Sequence, residues 1–105
     1  MQKRQMDAPP AMPNPLGLDA RMLATGPAAQ LMWVNLPPNG GIPAHPATMV
    51  VDFVILAGSG LALEAGAEEP VTTGDLLRFE PGIAHGFRAG AEGMRLLAIK
   101  HAALA

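Results

Sequence analysis

A chain of 105 residues, half of them hydrophobic and 15% charged, has the length and composition of one domain around one core. A formal net charge of −2 gives no footprint for nucleic acid or an anionic membrane, and the lack of cysteine excludes disulfides, thiolate metal sites and cysteine nucleophiles. No apolar run approaches the roughly 20 residues of a membrane helix, and the start MQKRQMDAPP lacks the apolar segment of a secretory signal, so a cytoplasmic location is expected.

Residues 1–18 hold four prolines and no periodic pattern, which predicts a flexible arm, with packing on a partner subunit as the alternative. From Asp19 the chain, 19–105, reads as one domain of short strands. ARMLAT (20–25) ends at Gly26-Pro27, and AQLMWVNL (29–36) stops at the loop Pro37-Pro38-Asn39-Gly40-Gly41, where proline cannot donate to a ladder. MVVDFVIL (49–56) is the strongest strand signal, rich in β-branched residues. Gly58-Ser59-Gly60 reads as a turn into LALEA (61–65), with an AGAEE tip; VTT (71–73), LLRF (76–79), HGFRA (85–89) and RLLAIKH (95–101) complete the set. Glycine and proline supply 23 of the 105 residues, too many for a helical bundle. Strands at short intervals with turns between them predict an all-β fold, an antiparallel β-sandwich or small barrel.

The stretch Gly74 to Phe87, GDLLRFEPGIAHGF, carries most of the functional information. A turn glycine opens a short apolar strand, Pro81-Gly82 reverses the chain, and His85 enters the next strand between small and apolar neighbours. The segment resembles the second cupin motif, G-x5-P-x-G-x2-H-x3-N. Gly74, Gly82 and His85 stand at matching spacings, with Glu80 at the proline position and Ala89 at the asparagine position. Upstream, Gly40 to Gly58 is similar to the first cupin motif, G-x5-H-x-H-x3(or 4)-E-x6-G. His45 stands at the first histidine, Ala47 replaces the second, and Val51 or Asp52 falls at the glutamate according to the end from which one counts. The resemblance covers roughly residues 30 to 100 and implies a jelly-roll-like barrel that pairs as a homodimer.

It also implies a site. The family holds a divalent transition metal with imidazoles and a carboxylate converging from adjacent strands, which here would be His45, His85 and Asp52 around Fe, Zn, Mn or Ni. Strand alternation from His45 puts Ala47, Met49, Val51, Phe53 and Ile55 on the interior face, with His85 and Phe87 facing in from the later strand. Asp52 then faces outward unless a bulge flips the register; if buried it needs Arg78, Arg88 or a metal as partner. The competing reading is a metal-free cavity in which His45 and His85 hydrogen-bond a ligand, walled by Ala47, Met49, Val51, Phe53 and Phe87, with Trp33 as a further candidate. His101, at the end of the last strand, reads as a surface residue.

No phosphate loop or nucleophile elbow is present, and Ser59, the only serine, has no base within sequence reach. Three functions remain open: a binding protein for a small organic ligand, a metal-dependent oxygenase, isomerase or lyase on a small organic acid or ring compound, and a non-catalytic sensor or structural dimer module. An inward Asp52 favours the second, and an outward Asp52 over an apolar cavity favours the first.

Overall fold

The computed structural model describes residues 1–102. Seven strands form one antiparallel sheet that curls on itself: β1 (Asp19–Thr25), β2 (Ala29–Leu36), β3 (Gly41–His45), β4 (Val51–Glu64), β5 (Ala67–Thr72), β6 (Leu76–Phe79) and β7 (His85–His101). The ladder runs β1-β2-β7-β4-β5, with β3 also on β7 and β6 also on β4. No helix occurs among the described residues, and none is long and apolar enough to cross a membrane.

The two long strands, β4 and β7, pair with each other along most of their length. Sequence signals split each of them in two, because Gly58-Ser59-Gly60 and Gly90 to Gly93 read as turns. They are instead irregularities within a continuous ladder, with register shifts at Ile55/Ala57 and Gly58/Gly60. At Gly58 φ is +86°, and a β-carbon there would collide with the Gly93 carbonyl oxygen, so only glycine lets the strands approach and bend. The bend allows one strand to serve both halves of the barrel: β7 pairs with β3 near its start and with β2 near its end. The tip between β4 and β5 is also tighter than AGAEE suggests. It reduces to Ala65-Gly66, both at positive φ, and Glu68 and Glu69 belong to β5.

Alternation along the strands fills the interior. Leu36, Ile42, Val51, Phe53, Ile55, Phe79, Phe87, Met94, Leu96 and Ala98 form one buried cluster. Its aromatic centre is a set of edge contacts, with Phe53 4.8 Å from Phe87 and 5.9 Å from Phe79 between ring centroids.

The N-terminal arm folds back over the barrel. Asn14 is its organiser: Nδ2 donates to the carbonyls of Met12 and Leu18, and Oδ1 accepts from the amides of Leu16 and Leu18. Met12 donates its amide to the Ala20 carbonyl at 2.7 Å, tying this loop to β1. Farther back, Arg21 donates to the carbonyls of Asp7 and Pro9 while its guanidinium lies 5.3 Å from the centre of the Trp33 ring.

Candidate functional site

His45 ends β3 and His85 begins β7, and the ladder pairs them directly across from one another. The turn between β6 and β7 sets this register. Gly82 at φ +81° donates its amide to the Ala47 carbonyl at 2.9 Å, fastening the loop after His45 to the turn before His85. The imidazole rings sit 5.1 Å apart between centroids. His85 also stacks on Phe79 at 4.7 Å with a tilt of 13°, and Phe53 closes on it at 5.9 Å.

Both rings are oriented in the same way. Nδ1 of His45 lies 2.9 Å from the Pro43 carbonyl and Nδ1 of His85 lies 3.1 Å from the Ile83 carbonyl. A carbonyl only accepts, so each Nδ1 carries a proton, and in the neutral ring Nε2 is then the acceptor. Neither Nε2 has a hydrogen-bond partner among the described residues. Burial, above all, lowers the pKa of His85; the Ile83 carbonyl opposes this, the neighbouring His45 and Lys100 add to it, and Glu64 opposes it. His85 is therefore a neutral acceptor at physiological pH.

A cavity of about 370 Å³ opens beside His45, with Phe53, Ile42, Met32, Val34 and Ala98 as its barrel wall and residues 12–16 and Leu18 of the arm across its mouth. Lys100 also lines it. The cavity is mainly apolar with a few polar groups at fixed positions, the usual make-up of a small-molecule site.

The expected site residues divide between two faces of the sheet. His45 and Phe53 line the cavity, whereas His85, Val51 and Phe87 are buried and are not among its lining residues. Ala47 and Met49 are not on a strand, because β3 stops at His45 and β4 begins at Val51; both pack from the connecting loop. Met49 lines a different groove, with Arg78 and His101. Trp33 lies under Arg21, beside the arm, away from His45.

Asp52 alternates with Val51 and Phe53 and so points to the outer face, opposite the histidines. It is buried there. Arg78, its partner across the ladder to β6, donates Nε and Nη2 to Oδ1 and Oδ2, both at 2.8 Å. His101 Nε2 lies 2.7 Å from Oδ2. The Arg78 guanidinium, first of all, lowers the Asp52 pKa from 3.8 to about 2; burial opposes this and His101 reinforces it. His101 is thus part of an ion-paired network rather than a bystander on the surface.

This geometry does not assemble the set His45, Asp52 and His85. Among the described residues no group of three or more histidine, aspartate or glutamate side chains is placed to hold a metal ion. Two imidazoles fall short of the three protein ligands that a catalytic zinc site uses. The donor set therefore fits a resident divalent metal poorly.

A cupin domain model matches residues 32–100. The chain belongs to the cupin family. Solved structures agree on the fold. A cupin 2 conserved barrel domain protein from Salinispora arenicola superposes with a TM-score of 0.84 at 20% identity, covering 98% of this chain and 90% of that one. A predicted oxalate decarboxylase from Thermotoga maritima gives the same TM-score, 0.84, and the same identity, 20%, over 98% of this chain and 100% of that one. An RmlC-like cupin from Desulfovibrio desulfuricans gives 0.78 at 17% identity, with 96% of each chain covered. At such identities the likeness shows the barrel alone. No curated protein has a significantly similar sequence.

Sequence reasoning missed two parts of this cupin site. Lys100 was legible in principle, since in RLLAIKH it falls on the same alternating face as Leu96 and Ala98. The arm left no periodic signal; it is held by Asn14 bonding to its own backbone neighbourhood, by the Met12 amide on Ala20 and by Arg21 on the Asp7 and Pro9 carbonyls.

Proposed function

We propose that this cupin binds a small organic molecule in the cavity beside His45 and His85, and does so by hydrogen bonding rather than through a resident metal. The observation that carries this reading is the shared tautomer. His45, which lines an apolar cavity of about 370 Å³, and the neutral His85 whose ring lies 5.1 Å from it are each fixed by a backbone carbonyl on Nδ1, which leaves Nε2 of a neutral ring as an acceptor. A hydroxyl or amine donor on the ligand satisfies such an acceptor, and Phe53, Ile42, Met32 and Val34 take up its apolar body. A metal-dependent reading with Fe, Zn, Mn or Ni needs a further protein ligand, and Asp52 is engaged on the opposite face with Arg78 and His101.

A homodimer is part of the proposal. Leu31, Ile99, Leu97 and Val54 pair across β2, β7 and β4 on the outer face, all partly exposed, and Leu76 beside them on β6 is 65% exposed. Such a row supports association through the sheet.

The test is thermal denaturation of chelator-treated protein against a panel of small organic molecules. A ligand at one hundred times its Kd adds about 2.7 kcal/mol, which raises the melting temperature of a domain of this size by about 10 °C or more. Hits should lose their effect in His45→Ala and His85→Ala. Hits that persist in both variants, or that vanish on chelation, refute the reading.

A further inference from the structure

Lys100 stands out once the cavity is viewed as a charged object. It follows Leu96 and Ala98 on the inward row of β7 and pairs across the ladder with the core residue Val51. It is only partly exposed, it lines the cavity with His45, and its charge reaches His85. The residues lining that cavity include no aspartate or glutamate. The ion pairs among the described residues are Arg21–Asp19, Arg78–Asp52 and Arg88–Glu68, His101 adds a hydrogen bond to Asp52, and none of these involves Lys100. Lys100 also borders a smaller hollow of about 160 Å³ with Gln30 and Met49, whose lining residues likewise include no acid.

A partly buried lysine at the edge of an apolar cavity, with no carboxylate partner among the described residues, favours an anion beside it. We infer that the ligand supplies the missing partner: a small monocarboxylate with an apolar body, its carboxylate on Lys100 and a hydroxyl or amine donor on the free Nε2 atoms of His45 and His85. The inference rests on the cavity reading given above and adds the ligand's charge to it. A carboxylate alone would be repelled by the two acceptor lone pairs, so the polar ends must separate, with the anion at Lys100 and the donor at the imidazoles. The arm completes the site. Met12, Pro13, Pro15 and Leu16 cover the apolar body, which limits its size and excludes a second charged end. Lys100 here is a specificity residue, one that selects an acid over its neutral analogue.

The experiment is calorimetric titration, in chelator-treated buffer, of 4-hydroxybenzoate and its uncharged analogue 4-hydroxybenzamide. The two probes share the ring and the phenolic donor and differ in charge. Wild-type protein should prefer the acid by about tenfold or more, the scale of one charge-assisted hydrogen bond, and the preference should shrink as salt rises. Lys100→Met, similar in length and uncharged, should lose the preference while keeping the amide's affinity within about twofold, which also shows that the variant is folded. Equal affinity for both probes in the wild type, or a preference that survives in Lys100→Met, overturns the assignment of charge and leaves the cavity reading in place. Failure of both probes to bind, or binding that His45→Ala leaves untouched, overturns the cavity reading and this inference with it.

Discussion

Replacing Asp52 by asparagine tests whether the outer-face network stabilises the barrel. The carboxylate is 8% exposed and holds Arg78 on both oxygens and His101 on one. The interval between the ordinary 3.8 and about 2, at about 1.4 kcal/mol for each pH unit, sets a ceiling of about 2.5 kcal/mol. The Arg78 side chain is 57% exposed and that of His101 38%, so solvent screening lowers the expected loss to about 1–2 kcal/mol. The pH dependence follows from the sign of the shift. A carboxyl whose folded pKa is depressed contributes its full stability above the unfolded value, and that stability is lost as pH falls through the folded value. Urea unfolding followed by Trp33 fluorescence should therefore show wild type more stable than Asp52→Asn by a constant amount above about pH 5, with the gap closing towards about pH 2. A gap that is absent at neutral pH, or that persists unchanged in acid, refutes the reasoning.

Other consequences are as direct. Phe87→Ala removes a fully buried ring that meets Phe53 and Phe79 and should cost about 3–5 kcal/mol in the same urea experiment; a cost under about 1 kcal/mol would mean that this core repacks freely. The His85 imidazole should titrate below 6.5 by NMR. Because the unfolded chain takes up that proton first, His85 makes wild type lose stability as pH falls below 6.5, and His85→Asn should flatten the slope there. Asn14→Ala removes the bonds that close residues 12–18 and should speed amide exchange at Leu16 and Leu18 by about tenfold, leaving β7 unchanged; equal protection in both proteins would show that packing alone holds the arm.

Much of the barrel can be read from local patterns. The bounds of β2 and β6 follow from apolar runs between turn signals, and the start of β7 follows from Pro81-Gly82. The continuity of β4 and β7 does not, because glycine marks a bulge in a close strand pair as readily as it marks a turn, and only the partner strand tells them apart. The facing of Asp52 follows from alternation, but its burial depends on Arg78 and His101, which lie 26 and 49 residues away. His45 and His85 stand out through motif spacing. Lys100 escaped notice because a lysine near a strand end is usually solvated, and its neighbours in the cavity come from five other stretches of chain: the arm, β1, β2, β3 and β4.

The central claim is that two imidazoles and an apolar cavity form a ligand site without a resident metal. Elemental analysis of protein purified without added metal, beside His45→Ala and His85→Ala, tests it most directly. No iron, zinc, manganese or nickel should approach one equivalent, and the three proteins should not differ. Near-stoichiometric metal in the wild type that both variants lose would contradict it, and would mean that His45 and His85 recruit further ligands on binding the ion.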